Sequence, residues 1–266
     1  MTQTTLTDNR YGPGVKQLLR PELDPSPRRV RVVFGGETIA DSKQVLLVRE
    51  PRRTPIYVFP RDDVRLDLLA PSPHRAPRGH LGKAAFWNVR VGDRVAENAA
   101  WAIPAPPAEL AAIADHVAFD WGSMDAWYEE AEEVFVHPRD PYHRVDVLQS
   151  DRHVQVIVGG ETVAETHRPR LLFETGLPTR YYIPPDDVRM DLLQPTDTTT
   201  RCPYKGVASY WSVNAGGKVA KDLVWGYKDP VPECPKIKGW LCFFNERVDR
   251  IIVDGEVQPV PKTPWS

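Results

Sequence analysis

The feature that most constrains this chain is that it carries the same text twice. At an offset of 124, Gly35-Gly36-Glu37-Thr38-Ile39-Ala40 falls on Gly159-Gly160-Glu161-Thr162-Val163-Ala164. Likewise Pro60-Arg61-Asp62-Asp63-Val64-Arg65-Leu66-Asp67-Leu68-Leu69 falls on Pro184-Pro185-Asp186-Asp187-Val188-Arg189-Met190-Asp191-Leu192-Leu193. The register holds without a gap through Trp87 and Trp211, Trp101 and Trp225, and Phe119 and Phe243. Solenoid repeats span roughly 20 to 50 residues, so a period this long means duplicated domains. The reading places an extended arm at 1–27, a first, divergent repeat at 28–123, an ordered connector at 124–151 and a second, motif-retaining repeat at 152–266.

The fold class follows from period and punctuation. The chain has 27 prolines in 266 residues, about twice the usual share of roughly 5%, and proline is confined to turns, edges and strand ends in sheets. Val30, Val32 and Phe34, like Val154, Val156 and Val158, alternate with other residues and then meet Gly-Gly, the signature of a tight hairpin turn. Further strands are expected at 45–48 and 171–173, at 57–59 and 181–183, and in hairpins pairing 84–91 with 95–101 and 207–213 with 219–227. The Pro-x-Asp-Asp-Val-Arg segment changes to a spacing of four and predicts one short helix per repeat, capped by Asp. A last hairpin is expected from 241–244 and 251–253. The whole is a β-rich α+β protein of two homologous, mainly antiparallel domains, each with one or two short helices.

Composition removes several function classes. No apolar run approaches the ~18 to 20 residues of a membrane helix, and 34 basic against 36 acidic side chains give no global field for nucleic acid or anionic lipid. MTQTTLTDNR lacks the charged and apolar regions of a secretory leader, so a cytoplasmic setting is expected. Cys202, Cys234 and Cys242 show no metal-ligand spacing. Neither phosphate-loop, dinucleotide nor nucleophile-elbow motifs occur. No metal and no cofactor are expected.

Candidate chemistry comes from comparing the copies. Where the second has Cys202, Pro203, Tyr204, Lys205 and Tyr227, the first has Arg78, Gly79, His80, Leu81 and Ile103, while Gly82, Trp87 and Trp101 keep register. Scaffold persists where polar chemistry changes, which points to a pocket in the second repeat. Lys205 suits a carboxylate or phosphate as a point charge, and beside Cys202 it can also favour a thiolate. Glu174 closes an apolar strand, a costly place for a carboxylate unless it is paired or functional. With Tyr182 and Lys205 it could do acid–base work or form a satisfied hydrogen-bond network. Tyr181, Tyr204, Trp211, Trp225 and Tyr227 can wall a pocket for a planar molecule or simply fill the core. In the connector, Glu129, Glu130, Glu132 and Glu133 read as a solvated helix face. Alternatively Trp127, His137, Arg139, Asp140, Tyr142 and Arg144 line a cleft, with Arg139 as a ligand contact.

The run Gly159-Gly160-Glu161, Glu174, Tyr181-Tyr182, Cys202-Pro203-Tyr204-Lys205-Gly206, Tyr210-Trp211 and Trp225-x-Tyr227 resembles an uncharacterised bacterial and fungal family, domain of unknown function 427. The first repeat resembles it more loosely, and the connector is similar to that of tandem members. The resemblance implies compact β-rich domains and carries a nucleotidyltransferase-like label. The acidic pair and Gly-Ser turn that metal-dependent nucleotidyl transfer needs are not legible here. The leading expectation is a small-molecule-binding protein, with transferase or hydrolase activity left open, taking a polar or anionic molecule. The alternative is a non-catalytic module binding a protein partner.

Overall fold

The computed structural model describes residues 20–51 and 53–266, so most of the expected N-terminal arm lies outside the described residues. Two compact units divide between Asp140 and Pro141, and each contains two antiparallel sheets. In the first unit the strands are β1 (Glu22–Pro25), β2 (Val30–Phe34), β3 (Glu37–Ser42), β4 (Leu46–Arg49), β5 (Ile56–Pro60), β6 (Leu69–Pro77), β7 (Lys83–Val91), β8 (Arg94–Ala102), β9 (His116–Phe119), β10 (Ala126–Glu129) and β11 (Glu132–Val134). Their order is β1-β4-β5-β9-β8-β7-β6 in the larger sheet and β11-β10-β2-β3 in the smaller.

The second unit repeats this strand for strand. It comprises β12 (Val145–Gln149), β13 (Val154–Val158), β14 (Glu161–Thr166), β15 (Arg170–Glu174), β16 (Arg180–Ile183), β17 (Leu193–Cys202), β18 (Gly206–Ala215), β19 (Lys218–Pro230), β20 (Leu241–Phe243), β21 (Arg250–Val253) and β22 (Glu256–Val257). The sheets run β12-β15-β16-β20-β19-β18-β17 and β14-β13-β21-β22. Irregularities recur as well: the bulge at Val32/Val33 returns at Val156/Ile157, and that at Trp87/Val89 at Trp211/Val213. A bulge bends its strand and strengthens the local twist, so the duplication preserved sheet curvature as well as strand order.

Alternation places the core. Val30, Val32, Phe34 and Ile39 of the small sheet meet Tyr57, Phe59 and Phe119 of the large one in a single buried cluster. Val58, between Tyr57 and Phe59, points to the opposite face and joins Leu81, Trp101, Leu110 and Ile113 in another, as the period of two demands. The Gly-Gly turns have the positive φ that two-residue hairpins require, 62° and 83° at Gly35 and Gly36 and 60° and 77° at Gly159 and Gly160.

Several segment expectations are corrected. The short helix of each repeat is a pair of 3-10 turns, at Arg61–Asp63 and Leu66–Leu68 and at Pro185–Asp187 and Met190–Leu192. No side chain caps them. Val64 and Val188 are drawn into extended conformation by bridges to Ala40 and Ala164, which stops helical propagation. The aspartates serve the sheet edge instead: Ser42 and Thr166 donate to Asp63 and Asp187 at 2.5 and 2.6 Å. β20 and β21 belong to different sheets, and the Asp254-Gly255 turn joins β21 to β22. The stretch read as a connector holds β10 and β11 of the first unit and β12 of the second, so its glutamates lie in and beside strands rather than on a helix. Glu22–Pro25 of the arm is the edge strand β1. Among the described residues no helix is long and apolar enough to cross a membrane.

Candidate functional site

The second repeat gathers part of the expected constellation, but ties it to itself. Glu174 ends β15, and Lys205 sits in the turn between β17 and β18. The Lys205 ammonium donates to Glu174 Oε2 at 2.5 Å, and His143 Nε2 lies 3.0 Å from Oε1. The side chains of Glu174 and Lys205 are 4% and 11% exposed. Burial acts to raise the Glu174 carboxyl, and the hydrogen bonds from His143 and Lys205 overcome it and hold the group below its usual range. Tyr204 stacks on the His143 ring at 4.0 Å. Lys205 therefore spends its charge on a buried carboxylate.

The other expected residues are mostly core. Tyr182 is buried and accepts a hydrogen bond from the Trp225 indole at 3.2 Å, and burial pushes its phenol and that of Tyr227 upward. Tyr181 is buried, and Trp211 packs partly buried on the same cluster. All three cysteines are free: Cys202 is half-buried, while burial raises Cys234 to about 11 and Cys242 to about 12. Thiols held protonated in this way are inert.

A cavity opens in the first repeat. It has a volume of about 320 Å³ and is lined chiefly by Arg53, Tyr57, Arg78, Asp120, Trp121 and Trp127. That volume lies in the usual range for ligand sites, roughly 300 to 1,000 Å³. Trp121 and Trp127 stack face to face, with centroids 4.3 Å apart and planes 5° from parallel. Tyr57 donates to Glu129 at 2.8 Å. Burial and that carboxylate keep its phenol protonated far above neutral pH. Val136 and His137 form part of the rim, and Val136 has φ 76°, a conformation a β-branched residue rarely adopts outside functional or over-determined sites.

Two guanidinium groups, those of Arg53 and Arg78, line this cavity. Neither the Arg53 nor the Arg78 guanidinium has a hydrogen-bonded or ion-paired partner among the described residues, and Arg78 Nε is buried without an acceptor. Arg78 lies 4.3 Å over the Trp101 ring. Burial, with the neighbouring Arg53, lowers its pKa against the attraction of Asp120 and Glu50. The Asp120 carboxylate is itself taken up by the Ser123 hydroxyl at 2.7 Å. Behind the cavity, Glu50, the counterpart of Glu174, accepts the His80 backbone N–H at 2.8 Å. Gly79 makes room for it, since a Cβ there would come within 2.3 Å of Glu50 Oε2.

The family model described as a domain of unknown function (DUF427) matches twice, over residues 22–130 and 146–254. The chain belongs to the DUF427 family. Each DUF427 match takes in the edge strand that precedes the Gly-Gly hairpin, β1 or β12, and runs through β10 or β21. The family unit is thus the pair of sheets described above, present in two copies. No curated protein matches this chain. Of the residues singled out from sequence, Trp127 and His137 border the cavity of this DUF427 protein, whereas Arg139 does not line it. Arg53, Arg78 and Trp121 were missed. The signal lay in Arg78 facing Cys202 across the copies, read as lost chemistry although a new cation had appeared.

Proposed function

We propose that this DUF427 tandem protein binds a small polar or anionic molecule, and that its site is the first-repeat cavity. The observation that carries the reading is the pair of unpartnered guanidinium groups, Arg53 and Arg78, on a cavity walled by Tyr57, Trp121 and Trp127. A desolvated cation gains most from an anion that also covers the neighbouring apolar surface. Stacked indoles favour a planar body. The candidate side chains of the second repeat fit a structural role, because Lys205 and Glu174 satisfy each other.

The test is a thermal-shift screen of the full chain and of Arg78→Ala against nucleotides, sugar phosphates, organic acids and neutral planar compounds. A ligand at ~100 times its Kd stabilises by about 2.7 kcal/mol, so a binding class is visible as a raised Tm that Arg78→Ala abolishes. Absence of a shift with every class, or shifts unchanged in Arg78→Ala, would sink the reading. The weight would then pass to an interaction module that binds a protein partner.

A further inference from the structure

The two repeats lay an arginine on the same tryptophan by different routes. In the second, Arg180 of β16 lies 5.5 Å over the Trp225 ring. In the first, the position of Arg180 is Ile56, and Arg78 arrives from the turn after β6 to lie over Trp101. The guanidinium of Arg180 is answered from within the chain. Glu246 takes both of its terminal nitrogens at 2.7 Å, with side chains 6% and 0% exposed. Thr263 donates to the same carboxylate at 2.7 Å, and the Trp265 ring lies 5.6 Å from the guanidinium.

The first repeat has the cation without the answer. Gly122 stands where the second repeat has Glu246, and Trp121 stands in place of Asn245 and lines the cavity. Ile56, in place of Arg180, also lines it. The open volume is thus lined by the residues that stand in place of Arg180 and Asn245, the neighbours of the second copy's carboxylate. Arg78 Nε stays buried without an acceptor, although the Asp120 and Glu50 carboxylates both attract its guanidinium. Resting on the cavity as the binding site, we infer that its ligand is a carboxylate on a planar, largely apolar body. The carboxylate docks on Arg78 as Glu246 docks on Arg180, and the body lies against Trp121 and Tyr57. The planar fork of an arginine matches a carboxylate in two-point contact.

The test measures binding of 2-naphthoate, 2-naphthamide and 2-naphthyl phosphate to the full chain by calorimetry. Naphthoate should bind at least about tenfold tighter than either of the others, a difference of about 1.4 kcal/mol. Arg78→Ala should weaken it by about the same factor or more. Gly122→Glu should also abolish it, by placing a tethered carboxylate in the cavity, while Gly122→Ala retains it. The nearest atom to a Cβ at Gly122 is Asp120 Oδ2, 3.9 Å away, so the alanine is accommodated, and far-UV circular dichroism checks the fold of both variants. Naphthoate binding no tighter than the amide overturns the inference. Tighter, Arg78-dependent binding of the phosphate overturns it while leaving the cavity as the site. Absence of Arg78-dependent binding by any probe overturns both.

Discussion

Where the first repeat opens its cavity, the second is filled with its own side chains. Arg180, Glu246 and Thr263 close a buried ion pair there, and Trp225 finds a hydrogen-bond partner in Tyr182. In the first repeat the corresponding residues are Ile56, Gly122, Arg139 and, for Tyr182, Val58, and the Trp101 indole nitrogen is buried without a partner. A few substitutions on one scaffold therefore convert a self-satisfied core into a cavity with unmet hydrogen-bonding capacity. The lesson is that the more recognisable polar motifs belong to side chains that satisfy each other. Polar groups that satisfy each other stabilise a fold, and those left over are available to a ligand.

The comparison can be broken most severely at Glu246. Its replacement by alanine leaves Arg180 buried and unpaired, and chemical denaturation should show a loss of about 3 to 5 kcal/mol. Alanine at the matching Gly122 should change stability by no more than about 0.5 kcal/mol, as at other open surface positions. Equal effects at the two sites would mean that the repeats do not differ as described. A smaller effect is expected at Lys205. Lys205→Met removes one charged contact, but His143 still serves Glu174, so the cost should be about 2 kcal/mol, without loss of ligand binding in the first repeat. Loss of binding with unchanged stability would return the site to the second repeat.

The gentlest probe is pH. Glu174 and Glu246 both titrate below their usual value of 4.5, because hydrogen bonds and neighbouring cations outweigh burial. A carboxyl lowered on folding contributes stability that is fully present above its unfolded pKa and disappears as pH falls through the folded one. Stability should hold from neutral pH to about 4.5 and then decline, and Glu246→Gln should flatten that decline. Acid unfolding profiles check this, and a profile unchanged in Glu246→Gln would remove the pair from the account.

Much of the fold was legible because its determinants are local. Alternating Val30, Val32 and Phe34, the Gly35-Gly36 turn and the 124-residue register each act over a few neighbouring residues or a direct self-match. The Asp62-Asp63 segment misled because a spacing of four is shared by a helix and by two 3-10 turns. Only the Ala40 to Val64 bridge, formed with a distant strand, decides between them. β10 was hidden in the connector for the same kind of reason, since its partner β2 lies about ninety residues earlier.

The site was less legible because it depends on what is left unpaired. Glu174, Lys205 and Tyr182 stand out in the sequence, and their partners, His143, each other and Trp225, come from distant segments. The sequence by itself determined a duplicated, β-rich member of its family, with its turns and its alternating core. Which copy is open was decided only in three dimensions. There Ile56, Arg78 and Trp121, from three separate segments, line one volume, and what counts is the space they leave and the hydrogen-bonding capacity that Arg78 keeps.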